Sequence, residues 1–329
     1  MVNFPFQGVV LSMSAGSALA PPEGLIVELV TPLRADGGLD ADGLARLVAR
    51  VAPVADGLLA GGPGVGEALD LQFEVRRQLL RHLLDAVAGR MPVFFGITGA
   101  SQEETFELAA ALEDECRVRN YPGPAFMADL PLYWHSNRGL PQTYQRLLKE
   151  VPRPLLLLNL PEVVRHRAPL FKHLNIRTHV FKKLAALDGI VGLIYRGEMR
   201  RFLNYHYAAA HRPGFAFYEA DEANFLTRPG AWGVLSASAQ LLPGPWQQAA
   251  RACLHPEESQ EDEARLKLWE LSQRLLEIAR LCRLSPAAML KAGLAAQGVL
   301  ASAATAPGSP LAPASQQEDL AASLANLAG

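Results

Sequence analysis

Three acids crowd one short stretch of this chain, Tyr218-Glu219-Ala220-Asp221-Glu222, directly after an apolar run. Carboxylates grouped this way could hold a cation. No histidine stands beside them at ligand spacing, so a metal site is not expected here. A second candidate is Tyr195-Arg196, which follows the apolar run Ile190-Val191-Gly192-Leu193-Ile194. A guanidinium fits carboxylate and phosphate geometry, so Arg196 could bind an anionic ligand. The plainer alternative pairs Arg196 with Glu219, Asp221 or Glu222. A third candidate is Gly61-Gly62-Pro63-Gly64-Val65-Gly66, which could cradle an anion on its backbone amides. It lacks the Lys-Ser/Thr ending of a phosphate loop, and Pro63 removes one donor, so it reads as a turn with some anion-binding potential. His166, His173, His179, His206 and His211 fall in helices or connectors and are expected to face solvent.

These groups sit at the ends of short apolar runs that alternate with longer amphipathic ones, the rhythm of repeated strand and helix units. The runs are Leu25–Val30, Gly57–Ala60, Pro92–Gly96, Ala125–Met127-Ala128, Pro154–Asn159, Ile190–Ile194, Phe215–Tyr218 and Gly233–Ser236. Helices are expected over Leu39–Val51, Phe73–Val87, Glu103–Leu112, Leu140–Lys149, Leu170–His173 and Val180–Leu187. Phe94, Phe95, Phe126 and Met127 lie in strands and are core by default. Eight runs with intervening helices favour a closed parallel (β/α)8 TIM barrel over an open sheet. Beyond it, Leu268, Leu271, Leu275, Ile278 and Cys282 mark one face of a long helix, and Pro286–Leu300 forms another. Together these make a C-terminal helical extension.

Composition narrows the function classes. Half of the 329 residues are hydrophobic and 19% are charged, which is ample for a core. Thirty-one basic against 33 acidic residues give a net charge of −2, with no basic block. No nucleic-acid partner is expected. No apolar run is long enough for a membrane span. Cys116, Cys253 and Cys282 lack disulfide or zinc spacing and suit a reducing compartment, so the expected location is cytoplasmic. Residues 1–22 read as a flexible leader, 23–250 as the barrel, 251–300 as the helical region, and 301–329 as a disordered Ala/Pro/Ser-rich tail.

From about Gly24 to Leu300 the segments, in order, resemble the dihydrodipicolinate synthase and N-acetylneuraminate lyase family. The resemblance is carried by Val30-Thr31-Pro32-Leu33, Asp36-Gly37-Gly38-Leu39-Asp40, Gly66-Glu67, Ala88–Val93, Pro131-Leu132-Tyr133, Leu158-Asn159-Leu160-Pro161 and Gly233–Pro243. It implies a (β/α)8 barrel, no cofactor, a small-molecule ligand and a homodimer or homotetramer. It also implies a lysine at the end of the sixth strand, whose amine forms a Schiff base with pyruvate or another 2-oxo acid. That position is Ile194 here. An isoleucine has no nucleophile.

Other matched positions depart in the same direction. The threonines implied to bind the oxo-acid carboxylate and relay a proton fall on Gly64 and Val65. The strand-five tyrosine falls on Leu158, and the basic residue after it falls near Val163, with Arg165 and Arg167 close by. Gln240 stands at the usual asparagine, while Tyr133, Glu67, Asn159 and Gly192 are retained. The resulting expectation is a lyase-like barrel that has lost Schiff-base chemistry, a pseudoenzyme or a repurposed pocket. Its binding residues would be Gly64, Val65, Leu158, Ile194, Arg196 and Gln240, with Tyr133 and Tyr195 as the catalytic candidates. The alternative is a lyase acting on a 2-oxo or related acid through a different site. A lysine elsewhere could in principle take over. Lys182 and Lys183 belong to the solvated outer ring, and Lys291 reads as a packing or surface residue.

Overall fold

The computed structural model describes residues 20–167, 173–227, 231–258, 262–283 and 285–328. Parallel strands close into a barrel in chain order, with β8 pairing back onto β1 through Ile26 and Leu235. They are β1 (Gly24–Glu28), β2 (Gly57–Ala60), β3 (Val93–Gly96), β4 (Ala125–Asp129), β5 (Leu155–Asn159), β6 (Ile190–Tyr195), β7 (Ala216–Glu219) and β8 (Gly233–Ser236). Every strand residue is buried, as a parallel sheet filled inside and covered by helices outside requires. The (β/α)8 expectation therefore holds.

Between the strands run α1 (Ala41–Val51), α2 (Phe73–Val87), α3 (Gln102–Val118), α4 (Pro131–Trp134), α5 (Leu140–Glu150), α6 (Pro161–Arg167), α7 (Thr178–Ala185), α8 (Met199–Ala208) and α9 (Glu222–Thr227). In α1, Leu44, Leu47, Val48 and Val51 share the buried face, and Asp40 caps the first turn by accepting from the Gly43 amide at 2.9 Å. The helix begins at Ala41 because Asp40 is its cap. Helix α3 likewise starts on a Ser101 cap and runs on to Val118, beyond the expected Leu112. The helix expected at Leu170–His173 falls outside the described residues, apart from His173. Arg76 of α2 is fully buried and donates to the Thr98 and Gly96 carbonyls at 2.9 Å each, tying the helix ring to the exit of β3.

After β8 come α10 (Pro243–Leu254), α11 (Asp262–Cys282), α12 (Pro286–Ala296) and α13 (Ala314–Ala328). Helix α13 corrects the disordered tail expected over 301–329. Its Leu320 and Leu324, one turn apart, are buried, and Ser323 donates to Glu277 of α11 at 3.0 Å. An Ala-rich segment orders when α11 and α12 offer a face for those leucines, since tertiary packing supplies most helical stability. Of the leader expected over 1–22, only Ala20–Pro22 is described, and the Pro22 carbonyl accepts from the Tyr218 hydroxyl.

Candidate functional site

Aromatic packing fixes which way the end of β6 faces. The Tyr195 ring stacks on Phe202, with centroids 5.7 Å apart, and meets Tyr205 edge-on at 5.5 Å. Both partners are on α8, so Tyr195 points away from the barrel interior. Its hydroxyl donates to the Glu198 carbonyl at 3.2 Å. Burial, the largest influence, pushes that phenol up to about 12. Tyr195 is therefore withdrawn as a catalytic candidate: it is packing between strand and helix.

Side chains alternate along a strand, so Ile194 faces inward. It is completely buried and lies in register between Leu158 of β5 and Tyr218 of β7. The structure thus brings Leu158 and Ile194 together, and Val65 is also buried. Tyr133, on the short α4, is 8% exposed and close enough to Arg76 to act on its charge.

Arg196 stands just above Ile194, half-buried. Its Nε and Nη2 donate to the Ala220 carbonyl at 2.9 and 2.7 Å, and Nη1 lies 3.9 Å from Glu162. The expected pairing with the acids after β7 is absent because those acids have other donors. Glu219 accepts from the Asp221 amide at 2.9 Å. Glu222 accepts from the Ser236 hydroxyl at 2.6 Å and from the Ser238 amide at 2.8 Å, which fastens α9 to the end of β8. Burial raises the Glu219 carboxyl to about 7, with Arg196 opposing the shift.

The residue that sequence reasoning passed over is Glu28, the last of β1. Its side chain is 4% exposed, and its Oε1 has no hydrogen-bond partner. Burial raises its carboxyl to about 7; Arg196 lowers it, Glu222 raises it, and the Val65 and Gly64 amides lower it. One charged residue inside the apolar run Leu25–Val30 was the available signal. Gln240 is fully buried and is a brace here, not a binding group. Its Nε2 donates to the Glu28 carbonyl at 2.7 Å and its Oε1 accepts from the Val30 amide at 2.9 Å.

The lysines separate cleanly. Lys182 and Lys183 are exposed on α7. Lys291 of α12 is fully buried, donating to Glu67 and to the Ala304 carbonyl. Glu67 also accepts from the Ala306 amide at 2.8 Å and the Ser309 hydroxyl at 2.7 Å. Burial lowers Lys291 from its ordinary value, with Glu67 opposing. Asn159 accepts from the Ile176 amide at 2.9 Å and donates to Asn175 at 2.8 Å, holding the loop before α7. His206 departs from the expected solvent exposure, since its ring stacks on Phe217 with centroids 3.7 Å apart. Among the described residues no group of three or more His, Cys, Asp or Glu is placed to hold a metal, and no helix is long and apolar enough to cross a membrane.

Comparison with known proteins agrees with this architecture. Residues 21–326 match the dihydrodipicolinate synthetase family. The 4-hydroxy-tetrahydrodipicolinate synthase of Aromatoleum aromaticum is 29% identical over 307 residues, spanning 91% of this chain and 96% of that protein. The enzyme of the same name from Thiobacillus denitrificans is 31% identical over 230 residues, 68% of this chain and 72% of its own. Among solved structures, dihydrodipicolinate synthase from Bacteroides thetaiotaomicron superposes with a TM-score of 0.78 at 22% identity, covering 94% of this chain and 99% of that one. A prophage protein of E. coli K12, solved with pyruvate, gives 0.77 at 22% identity, covering 93% and 98%.

Proposed function

The chain belongs to the dihydrodipicolinate synthetase family, and within it we propose a member that has given up Schiff-base aldolase chemistry and serves as a non-catalytic or repurposed small-ligand-binding barrel. The observation that carries this reading is Ile194. It stands where the resemblance implies the imine lysine, buried between Leu158 and Tyr218. Imine formation needs an amine lone pair at that point, and a hydrocarbon side chain offers none. The neighbouring replacements support it, because Leu158 and Val65 put apolar groups where the resemblance implies hydroxyls. The buried Glu28 carboxyl and Arg196 then give the mouth a charge pattern of its own.

A thermal-shift screen tests the reading. Pyruvate should stabilise the protein no more than sodium chloride at equal ionic strength. A ligand drawn from a panel of small acids, amines and neutral compounds should stabilise it saturably, with the shift reduced in Arg196→Ala. Saturable stabilisation by pyruvate would overturn the reading.

A second reading, a lyase acting on a 2-oxo or related acid without an imine, is favoured by one observation. The Glu219 carboxyl is raised to about 7 beside Arg196, the range a general acid or base needs. Turnover of such an acid that disappears in Glu219→Gln would select it. We also take the protein to be a cytoplasmic homodimer or homotetramer, with Leu203 and Tyr207, exposed one turn apart on α8, as apolar surface for a second copy. Sedimentation as a monomer would remove that part.

A further inference from the structure

A cavity of about 330 Å3 opens beside the starts of β7, β8 and β1, at the end of the barrel opposite the mouth. That volume falls within the roughly 300–1,000 Å3 of small-molecule sites. Helix α9, which follows β7, has six residues, and the small side chains of Ala209 and Ala231 leave room beside Phe215 and Phe217. Two ring nitrogens belong to residues on this apolar wall. The His206 ring stacks on Phe217 and meets Phe202 edge-on with centroids 4.6 Å apart, so its orientation is fixed. The Trp232 amide donates to the Phe217 carbonyl at 2.7 Å, which sets Trp232 alongside. His206 Nε2 and Trp232 Nε1 are buried, and among the described residues neither has a hydrogen-bond partner. Buried polar groups are nearly always paired, so two orphans on one cavity point to a shared partner. The charged residues of the lining do not supply it. Arg212 is committed to the Ala185 and Leu187 carbonyls at 2.9 and 3.0 Å, and Glu23 is exposed at the rim.

We propose that this cavity binds a neutral, planar heteroaromatic molecule whose polar edge pairs with Trp232 Nε1 and His206 Nε2. The aromatic and alanine walls take the faces of such a ring. An indole N–H only donates, so the ligand must bring an acceptor to Trp232. Burial lowers the pKa of His206 from its ordinary value, and a neutral imidazole meets either a donor or an acceptor according to its tautomer. A hydrocarbon of the same shape would cover the walls and leave both nitrogens unpaired. An ion would give up its hydration to a cavity whose own charges are spent or turned to solvent. The site lies at the opposite end of the strands from Ile194 and Glu28, so it stands independently of how the mouth is used.

The indole N–H resonance of Trp232, observed in the full-length nitrogen-15-labelled protein and assigned by its loss in Trp232→Phe, reads the site directly. Benzimidazole, indazole, purine and nicotinamide are titrated one at a time to millimolar concentration. Indene, a hydrocarbon with the shape of benzimidazole, is the control. At least one heteroaromatic probe should move the Trp232 resonance saturably, with indene bound at least about tenfold more weakly. His206→Phe keeps a ring on Phe217 and removes the nitrogen, and it should weaken the bound probe by a similar factor, as should Trp232→Phe read by saturation transfer to the probe. No saturable movement with any of the four, indene binding as tightly as the best of them, or both variants binding like wild type would overturn the proposal, the last two results leaving a cavity that recognises only apolar bulk. Should either variant fail to fold, the wild-type comparison with indene decides.

Discussion

Lys291 and Glu67 form a completely buried ion pair that joins α12 to the loop after β2. Glu67 holds a left-handed backbone conformation, with φ 54, and gathers the Ala306 amide and the Ser309 hydroxyl besides the lysine. This one carboxylate therefore fastens the C-terminal extension to the barrel. It also accounts for the one fully buried lysine among the described residues: its ammonium is committed to a carboxylate and a carbonyl. A salt bridge at this depth is costly to break from one side.

Lys291→Met should accordingly destabilise the protein by about 3–5 kcal/mol, because Glu67 would keep a buried charge with no cation. The double variant Lys291→Met with Glu67→Gln should recover part of that loss. Urea midpoints at constant slope read both. Equal stability of Lys291→Met and wild type would contradict the pairing.

Glu28 predicts a pH dependence. Its carboxyl titrates near 7 in the folded protein against an ordinary value of 4.5. Between those values the folded state binds more protons than the unfolded chain, so stability falls as pH rises, and it levels off above about 7. Glu28→Gln removes this contribution. Its stability relative to wild type should increase from pH 4.5 to 7 by roughly 3 kcal/mol. A difference that stays flat across this window would place the carboxyl in water.

Asp129, at the end of β4, is fully buried and accepts from Thr98 at 2.7 Å, Tyr144 at 2.5 Å and the Trp134 indole at 3.2 Å. Burial raises its carboxyl and pushes the Tyr144 phenol well above its ordinary range. Asp129→Ala strands these donors and should cost about 2–4 kcal/mol, whereas Tyr144→Phe should cost about 1–2. Chemical denaturation of the two variants gives the order, and the reverse order would be inconsistent with a network centred on Asp129.

The C-terminal helix makes its own prediction. Leu320 of α13 is 1% exposed, so Leu320→Ala should cost about 2–4 kcal/mol. Hydrogen exchange should show α13 losing protection before the barrel strands. Unchanged stability would mean that α13 does not dock.

The barrel was legible because its strands are short apolar runs separated by amphipathic helices; Gly233–Ser236 coincides with β8 residue for residue. The direction of Tyr195 was less visible, since a residue following the apolar run Ile190–Ile194 can end a strand or begin a loop. The structure makes it the last strand residue, turned outward onto Phe202. Glu28 escaped notice because five apolar neighbours in Leu25–Val30 dominate the strand pattern. Its carboxyl group packs against Gly62 and Gly64, more than thirty residues away, a relation that no local pattern encodes. The tail misled through composition. Leu320 and Leu324 carry helical spacing, yet their burial depends on faces supplied by α11 and α12.

The most direct test of the account is reductive trapping. Wild-type protein is incubated with pyruvate and borohydride, then weighed intact by mass spectrometry, with an imine-forming aldolase treated in parallel. On the proposed reading, in which Ile194 stands in place of the imine lysine, the protein should emerge at its unmodified mass while the aldolase gains the reduced adduct. A stoichiometric pyruvate adduct on any lysine, Lys291 included, would contradict the account.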